Sequence, residues 1–369
     1  MKNLLLLCSF ILNCVVFADA LPPGCEYDKE CFFDAPGMKC ADGTQSYFTI
    51  TPRKDAKNLL IYLNGGGGCW SKSSCQNGLA RPLTRQVVPT DWNNGRGIFN
   101  RNEPTNPFRT DYNLVNIAYC TGDVYAGDKT VNYGSASNPY MIQHHGFKNV
   151  QITLTEVQKY YPFPEKAVLI GQSAGGFGTI FHAKSMDTYF PGAKKYVIDD
   201  SGVPLSPPFL TEKSYIEIVK NWGIENTFPY EKPGSLKDYN FEYVIEANLK
   251  NLPTTRFGLI GAYSDRIMTF FANRLGSPNS FTAVRDTLID TAKNRIGDSE
   301  IAKVFYLTGS EHCYVHRSIG SISSKKVVLG KWMTAMINDD TEQWTNVRPD
   351  LSREIPPVDP DEFYASFKR

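Results

Sequence analysis

The stretch "LIGQSAGGFGT" (169–179) places Ser173 in the pattern Gly171-Gln172-Ser173-Ala174-Gly175. A serine hydroxyl becomes a nucleophile only when a base takes its proton, a third group orients that base, and N–H donors meet the oxyanion that forms. The pattern alone fits either a nucleophile on a sharp strand-to-helix turn or an ordinary glycine-rich turn. The base must come from five histidines. His312 and His316 share the segment "GSEHCYVH" (309–316). His182 falls nine residues beyond Ser173 and reads as a packed helix residue, while His144 and His145 read as a polar turn. Carboxylates that could orient a base are Asp199, Asp200 and Asp265. The run "LNGGGGCW" (63–70) supplies the remaining part. Lacking side chains, Gly66 and Gly67 let backbone N–H groups approach a substrate oxygen, alongside that of Ala174. No G-K-[ST] follows, so the run is not a phosphate loop.

These residues need a scaffold that brings them together. Apolar, β-prone runs occur at 46–51, 58–63, 114–119, 166–171, 195–199, 256–263 and 303–308. Helical spacing appears at 147–161, where Val150, Leu154, Val157 and Tyr161 form one stripe, at about 174–186, and at 325–338. Strands alternating with helices predict a mostly parallel α/β sheet covered on both faces. Loop-rich insertions are expected at 71–110 and 205–255. Ser173 then sits between a strand and a helix, as a nucleophile elbow requires. Asp199-Asp200, Asp265 and the His312/His316 segment follow successive later strands, at the strand ends where such sheets hold their sites. Asp200 lies in "DDSG" (199–202), a natural turn former, whereas Asp265 ends an apolar strand and needs a partner.

Composition narrows the function classes. The 369 residues are 41% hydrophobic and 21% charged, which suffices for a large core. Lys+Arg number 39 and Asp+Glu 38, with no basic stripe, so nucleic acid is not an expected partner. Lys2, the apolar run Leu4–Phe17 and Ala18-Asp19-Ala20 read as a secretory signal peptide at 1–20. That predicts one catalytic domain over 21–369, without a membrane span after cleavage, in a secreted or periplasmic location. Seven cysteines remain beyond the signal, and an oxidising compartment favours pairing most of them. A zinc site would need Cys-x-x-Cys pairs or nearby histidines, and neither is present.

The chain resembles the pectin acetylesterase/Notum family of secreted carboxylesterases. The resemblance rests on motifs in order: "CADGTQSYF" (40–48), "LIYLNGGGGCWSKSSC" (60–75), "YNLVNIAYCTGDVYAGD" (112–128), "HHGFKNV" (144–150), "GQSAGGFGT" (171–179), "DDSG" (199–202), the "HC" at 312–313, and "WMTAMINDDTEQWTNV" (332–347). It implies an α/β-hydrolase-like fold and a cofactor-free Ser-Asp-His triad. Matched position by position, Ser173 is the nucleophile, His312 the base and Asp265 the acid, with oxyanion donors at Gly66, Gly67 and Ala174. It also implies the disulfides Cys69–Cys75 and Cys40–Cys120; the short Cys25–Cys31 segment suggests a third, which leaves Cys313 free. Relatives commonly carry an aromatic residue inside the glycine turn, where this chain has Gly67-Gly68, and Trp70 stands nearby as a replacement. The implied activity is removal of an O-acyl group, foremost O-acetyl from a carbohydrate such as pectin. A lipid or protein O-deacylase is the alternative, and a non-catalytic carbohydrate-binding envelope protein is the third reading.

Overall fold

The structure, a computed structural model of the chain, describes residues 21–86 and 95–349. The expected signal peptide at 1–20 lies outside the described residues. Ten strands position the site: β1 (Cys31–Phe33), β2 (Phe48–Thr51), β3 (Asn58–Leu63), β4 (Tyr112–Ile117), β5 (Lys129–Asn132), β6 (Met141–His144), β7 (Lys166–Gln172), β8 (Lys194–Asp200), β9 (Arg256–Ala262) and β10 (Ala302–Leu307). Eight of them form one sheet in the order β1-β2-β4-β3-β7-β8-β9-β10. The run from β4 to β10 is parallel, while β1 and β2 join one edge antiparallel. β5 and β6 pair separately.

The strand sequence dictates the two cores. In β3 the alternate residues Leu59, Ile61 and Leu63 face one side, and Leu60 and Tyr62 the other. Both sets are buried, as expected for a parallel sheet covered twice. On the first side they meet the helices Gly146–Tyr160 and Ala174–Tyr189, through Val150, Leu154 and Ile180. On the second they meet Trp332, Met333 and Met336 of the helix Leu329–Ile337. The expected α/β class, mostly parallel with helices on both faces, is the fold observed.

Several elements differ from expectation. The apolar spacing at 325–338 predicts one helix, but it begins only at Leu329. Ser323–Ser324 and Val327–Val328 instead pair antiparallel, with Lys325 (φ 48°) and Lys326 (φ 67°) making the turn. The valines serve a strand as well as a helix, and periodicity does not separate the two. Helices Arg266–Arg274 and Ser280–Asp290, absent from the sequence reading, fill the connection between β9 and β10. The 205–255 segment carries helices Glu212–Trp222 and Phe241–Asn251. Disulfides join Cys25–Cys31, Cys40–Cys120 and Cys69–Cys75, and Cys313 is a buried free thiol.

Candidate active site

β7 ends at Gln172 and the next helix starts at Ala174, so Ser173 alone turns the chain. It does so at φ 53° and ψ −120°, a region that costs a non-glycine residue about 1–3 kcal/mol. The flanking glycines are required by close approach. A Cβ at Gly171 would lie 2.4 Å from the Gly175 carbonyl oxygen, and one at Gly175 only 2.0 Å from that of Leu63. The Ser173 N–H donates to the Asp200 carbonyl at 2.7 Å, which ties the turn to β8. Ala174 opens the helix, so its N–H has no partner within the helix and carries the positive end of the dipole.

The loop after β10 places His312 against Asp265. The His312 Nδ1–H donates to Asp265 Oδ2 at 2.7 Å. The other carboxylate oxygen caps the helix Arg266–Arg274, accepting the N–H groups of Ile267 at 2.9 Å and Met268 at 3.0 Å. Asp265 is thus buried but fully bonded, and the helix N-terminus favours its charge. His312 Nε2 is buried without a hydrogen-bond partner among the described residues. The bond from Ser173 Oγ to this atom is not formed; in unliganded sites such bonds are often long and tighten with substrate. Burial, the largest influence, pushes the His312 pKa down, but the Asp265 carboxylate, helped by Asp200, lifts it above the ordinary 6.5.

The rival candidates lie elsewhere. Asp200 accepts the N–H groups of Tyr314 at 2.6 Å and Val315 at 2.8 Å rather than an imidazole N–H. Asp199 accepts from the Gly202 N–H at 2.8 Å. His316 packs its backbone against Gly97, where an added Cβ would lie 2.6 Å from the His316 Cα. His182 is a packed helix residue, as its position suggested. His144 is not in a polar turn: it ends β6 and is fully buried, with Nδ1–H donating to the Thr121 carbonyl at 2.9 Å. The adjacent His145 does face a polar partner, Asp128, at 2.6 Å.

The glycine run forms a fixed turn beside the serine. Gly65 lies against it: a Cβ there would come within 3.2 Å of the Ser173 Cβ. Gly67 adopts φ 73°, and its missing Cβ would fall 2.0 Å from the Leu79 carbonyl oxygen. The turn's carbonyls are bonded outward: Arg81 N–H donates to Gly66 at 2.9 Å, and Tyr119 Oη to Gly67 at 2.7 Å. Among the described residues the N–H groups of Gly66 and Gly67 have no acceptor. The Cys69–Cys75 bridge closes the segment, and Trp222 Nε1–H donates to the Cys69 carbonyl at 2.8 Å.

Ser173, Ala174, Gly67 and Gly68 open onto a narrow pocket of about 30 Å³. Its walls are otherwise apolar and come from five segments: Trp70; Val124; Phe177; Leu205, Phe209, Ile218, Trp222; and Met268, Phe271, Leu275. Trp70 does line the site, and Trp222 sits opposite Gly68, where a Cβ would lie 3.6 Å from its ring. The sequence reading missed most of these wall residues. A weak signal existed in the stripe Tyr215, Ile218, Val219 and Trp222, whose spacing marks one buried helix face.

A pectinacetylesterase family model matches residues 31–265. The palmitoleoyl-protein carboxylesterase notum1a of Danio rerio is 26% identical over 196 residues, covering 52% of this chain and 38% of that protein. Pectin acetylesterase 11 of Arabidopsis thaliana is 23% identical over 213 residues, covering 55% of this chain and 53% of that protein. The matched stretches thus span less than two thirds of these relatives. A solved structure titled as the Wnt deacylase Notum from Drosophila superposes with a TM-score of 0.63 at 16% identity, over 88% of this chain and 95% of that one; at such identity the likeness concerns the fold. The family model covers well over half of the chain, which therefore belongs to the pectinacetylesterase family.

Proposed function

We propose that this chain is a serine carboxylesterase with Ser173 as nucleophile, His312 as base and Asp265 as the group that orients it. The observation that carries this is the strained Ser173 turn opening onto an apolar pocket, in a site that also holds a buried His312–Asp265 pair. His312 Nε2 takes the Ser173 proton as Oγ attacks the ester carbonyl. The N–H groups of Gly66, Gly67 and Ala174 bond the oxyanion; one such donor contributes about 3–4 kcal/mol. The imidazolium, supported by Asp265, returns its proton to the leaving alcohol, and water then releases the acid from Ser173 by the same steps. Family membership and the names of the relatives support carboxylic ester hydrolysis. An apolar run before an A-x-A-like site supports export from the cell.

The apolar walls favour an acyl group longer than acetyl, because they offer no charged side chain to a carbohydrate. Each buried methylene contributes about 0.8 kcal/mol, or about fourfold in kcat/KM while the pocket accommodates it. A second reading, O-acetyl removal from a carbohydrate, is favoured by the family match and by the plant relative. A series of p-nitrophenyl esters from acetyl to octanoyl decides between them. A kcat/KM that climbs with chain length supports the acyl pocket. A maximum at acetyl, with acetate release from acetylated pectin, supports the second reading. No turnover of any ester by folded protein removes both.

A further inference from the structure

Ser173 (φ 53°), Ser201 (φ 66°) and Cys313 (φ 62°) each hold a left-handed backbone without being glycine. Such strain persists only where the surroundings fix it. All three meet at Asp200. Its carbonyl accepts the Ser173 N–H at 2.7 Å. Its carboxylate accepts the N–H groups of Tyr314 at 2.6 Å and Val315 at 2.8 Å, directly after His312. The other carboxylate oxygen takes the Ser201 hydroxyl at 2.9 Å, and Ser201 Oγ in turn accepts the Cys313 N–H at 3.1 Å. Asp200 is fully buried and does not itself line the pocket.

We propose that Asp200 is a positioning residue that fastens the His312 loop to the Ser173 turn, and that its charge supports the imidazolium formed during the reaction. The inference rests on the Ser173–His312 assignment above. Asp265 holds the imidazole itself; Asp200 holds the peptides beside it. A charge change on His312 is faced by Asp265 from the end of β9, by Asp200 from the end of β8, and by Arg317 from its own loop. Two carboxylates therefore oppose one guanidinium around a base that must gain a proton.

The test uses the exported full chain and the pH dependence of kcat/KM, which reports the base in the free enzyme. Asp200→Asn is the decisive variant. Its remaining oxygen still accepts both peptide N–H groups, and its amide donates to Ser201 Oγ, so the loop stays tied while the charge is lost. Expected is an acid limb moved to lower pH by about 1 unit, since an opposite charge nearby no longer favours the imidazolium. Asp200→Ala also frees the loop, and turnover falls about 10²-fold, the cost of a misplacement near 1 Å. If the alanine variant does not fold, Asp200→Asn still decides. An acid limb in Asp200→Asn identical to wild type overturns the proposal. Ser173→Ala is the control: residual wild-type turnover there would refute the underlying assignment instead.

Discussion

Three fully or largely buried histidines sit close to this site's elements, and of these three only His312 meets a carboxylate. His182, on the helix that follows Ser173, gives its Nε2–H to the Tyr125 carbonyl at 2.8 Å and stacks on Phe147 at 5.0 Å. His144 gives its Nδ1–H to the Thr121 carbonyl. A carbonyl dipole does not compensate burial, and both pKa values are pushed down to about 4. Both rings are therefore neutral and stay neutral at pH 7. His312 is buried too, but its Nδ1–H meets a carboxylate, and its pKa stands above 6.5. The difference teaches that burial alone does not make a base. What matters is whether a charge waits to receive the imidazolium.

The strongest way to break this comparison is to remove the rings. Turnover in His312→Gln should fall by about 10⁶-fold, as for loss of one member of a protease triad. His316→Gln should change little, because that residue packs against the Gly97 turn. The reverse ranking in a p-nitrophenyl ester assay would move the base to His316. Removing the charge is the next largest effect. Asp265→Asn should keep the fold and lower turnover by about 10⁴-fold, since an amide favours the wrong imidazole tautomer. The acid limb follows the same logic. In the proposed mechanism neutral His312 is the active form, so kcat/KM should rise with pH through a value above 6.5 in the wild type, and at lower pH in Asp265→Asn. A limb that does not move would detach Asp265 from the base.

Much of this arrangement was legible in the sequence, because strands and turns have local signatures. The apolar runs of β3, β7, β8, β9 and β10 appear where expected. Glycines at 171 and 175 report a crossing too close for a Cβ, and together with the strand before and the helix after them they made the serine turn readable. Asp265 was legible as a strand-end carboxylate in need of a partner, though not as the cap of the helix it begins; an Asp before an amphipathic segment is a capping signal that the reading left unused. The apolar pocket was not legible. Val124, Ile218, Met268 and Leu275 look like ordinary core residues, and only tertiary packing makes them one wall. Nor did the sequence distinguish the contacts of Asp200, since bonds to peptide N–H groups over 100 residues away leave no pattern.

The smallest effect sharpens the comparison from the other side. His182→Leu removes an imidazole more deeply buried than that of His312 but outside the proposed chemistry. The Tyr125 carbonyl loses its donor, and a stranded buried acceptor costs about 1–3 kcal/mol. Melting near pH 7.5 should report that loss, while kcat/KM stays close to wild type. The pH dependence then has a definite sign. In the wild type the folded pKa of His182, about 4, lies below its ordinary 6.5, so the unfolded chain binds the extra proton between those values. The stability that His182 contributes is complete above pH 6.5 and is lost as pH falls toward 4, by about 2–3 kcal/mol at pH 4.5. Leucine does not titrate, so the gap between variant and wild type should close, or reverse, at pH 4.5. A gap that widens on acidification would mean that His182 is protonated in the folded state. A variant as inactive as His312→Gln would mean that burial and neutrality do not mark a histidine as structural here.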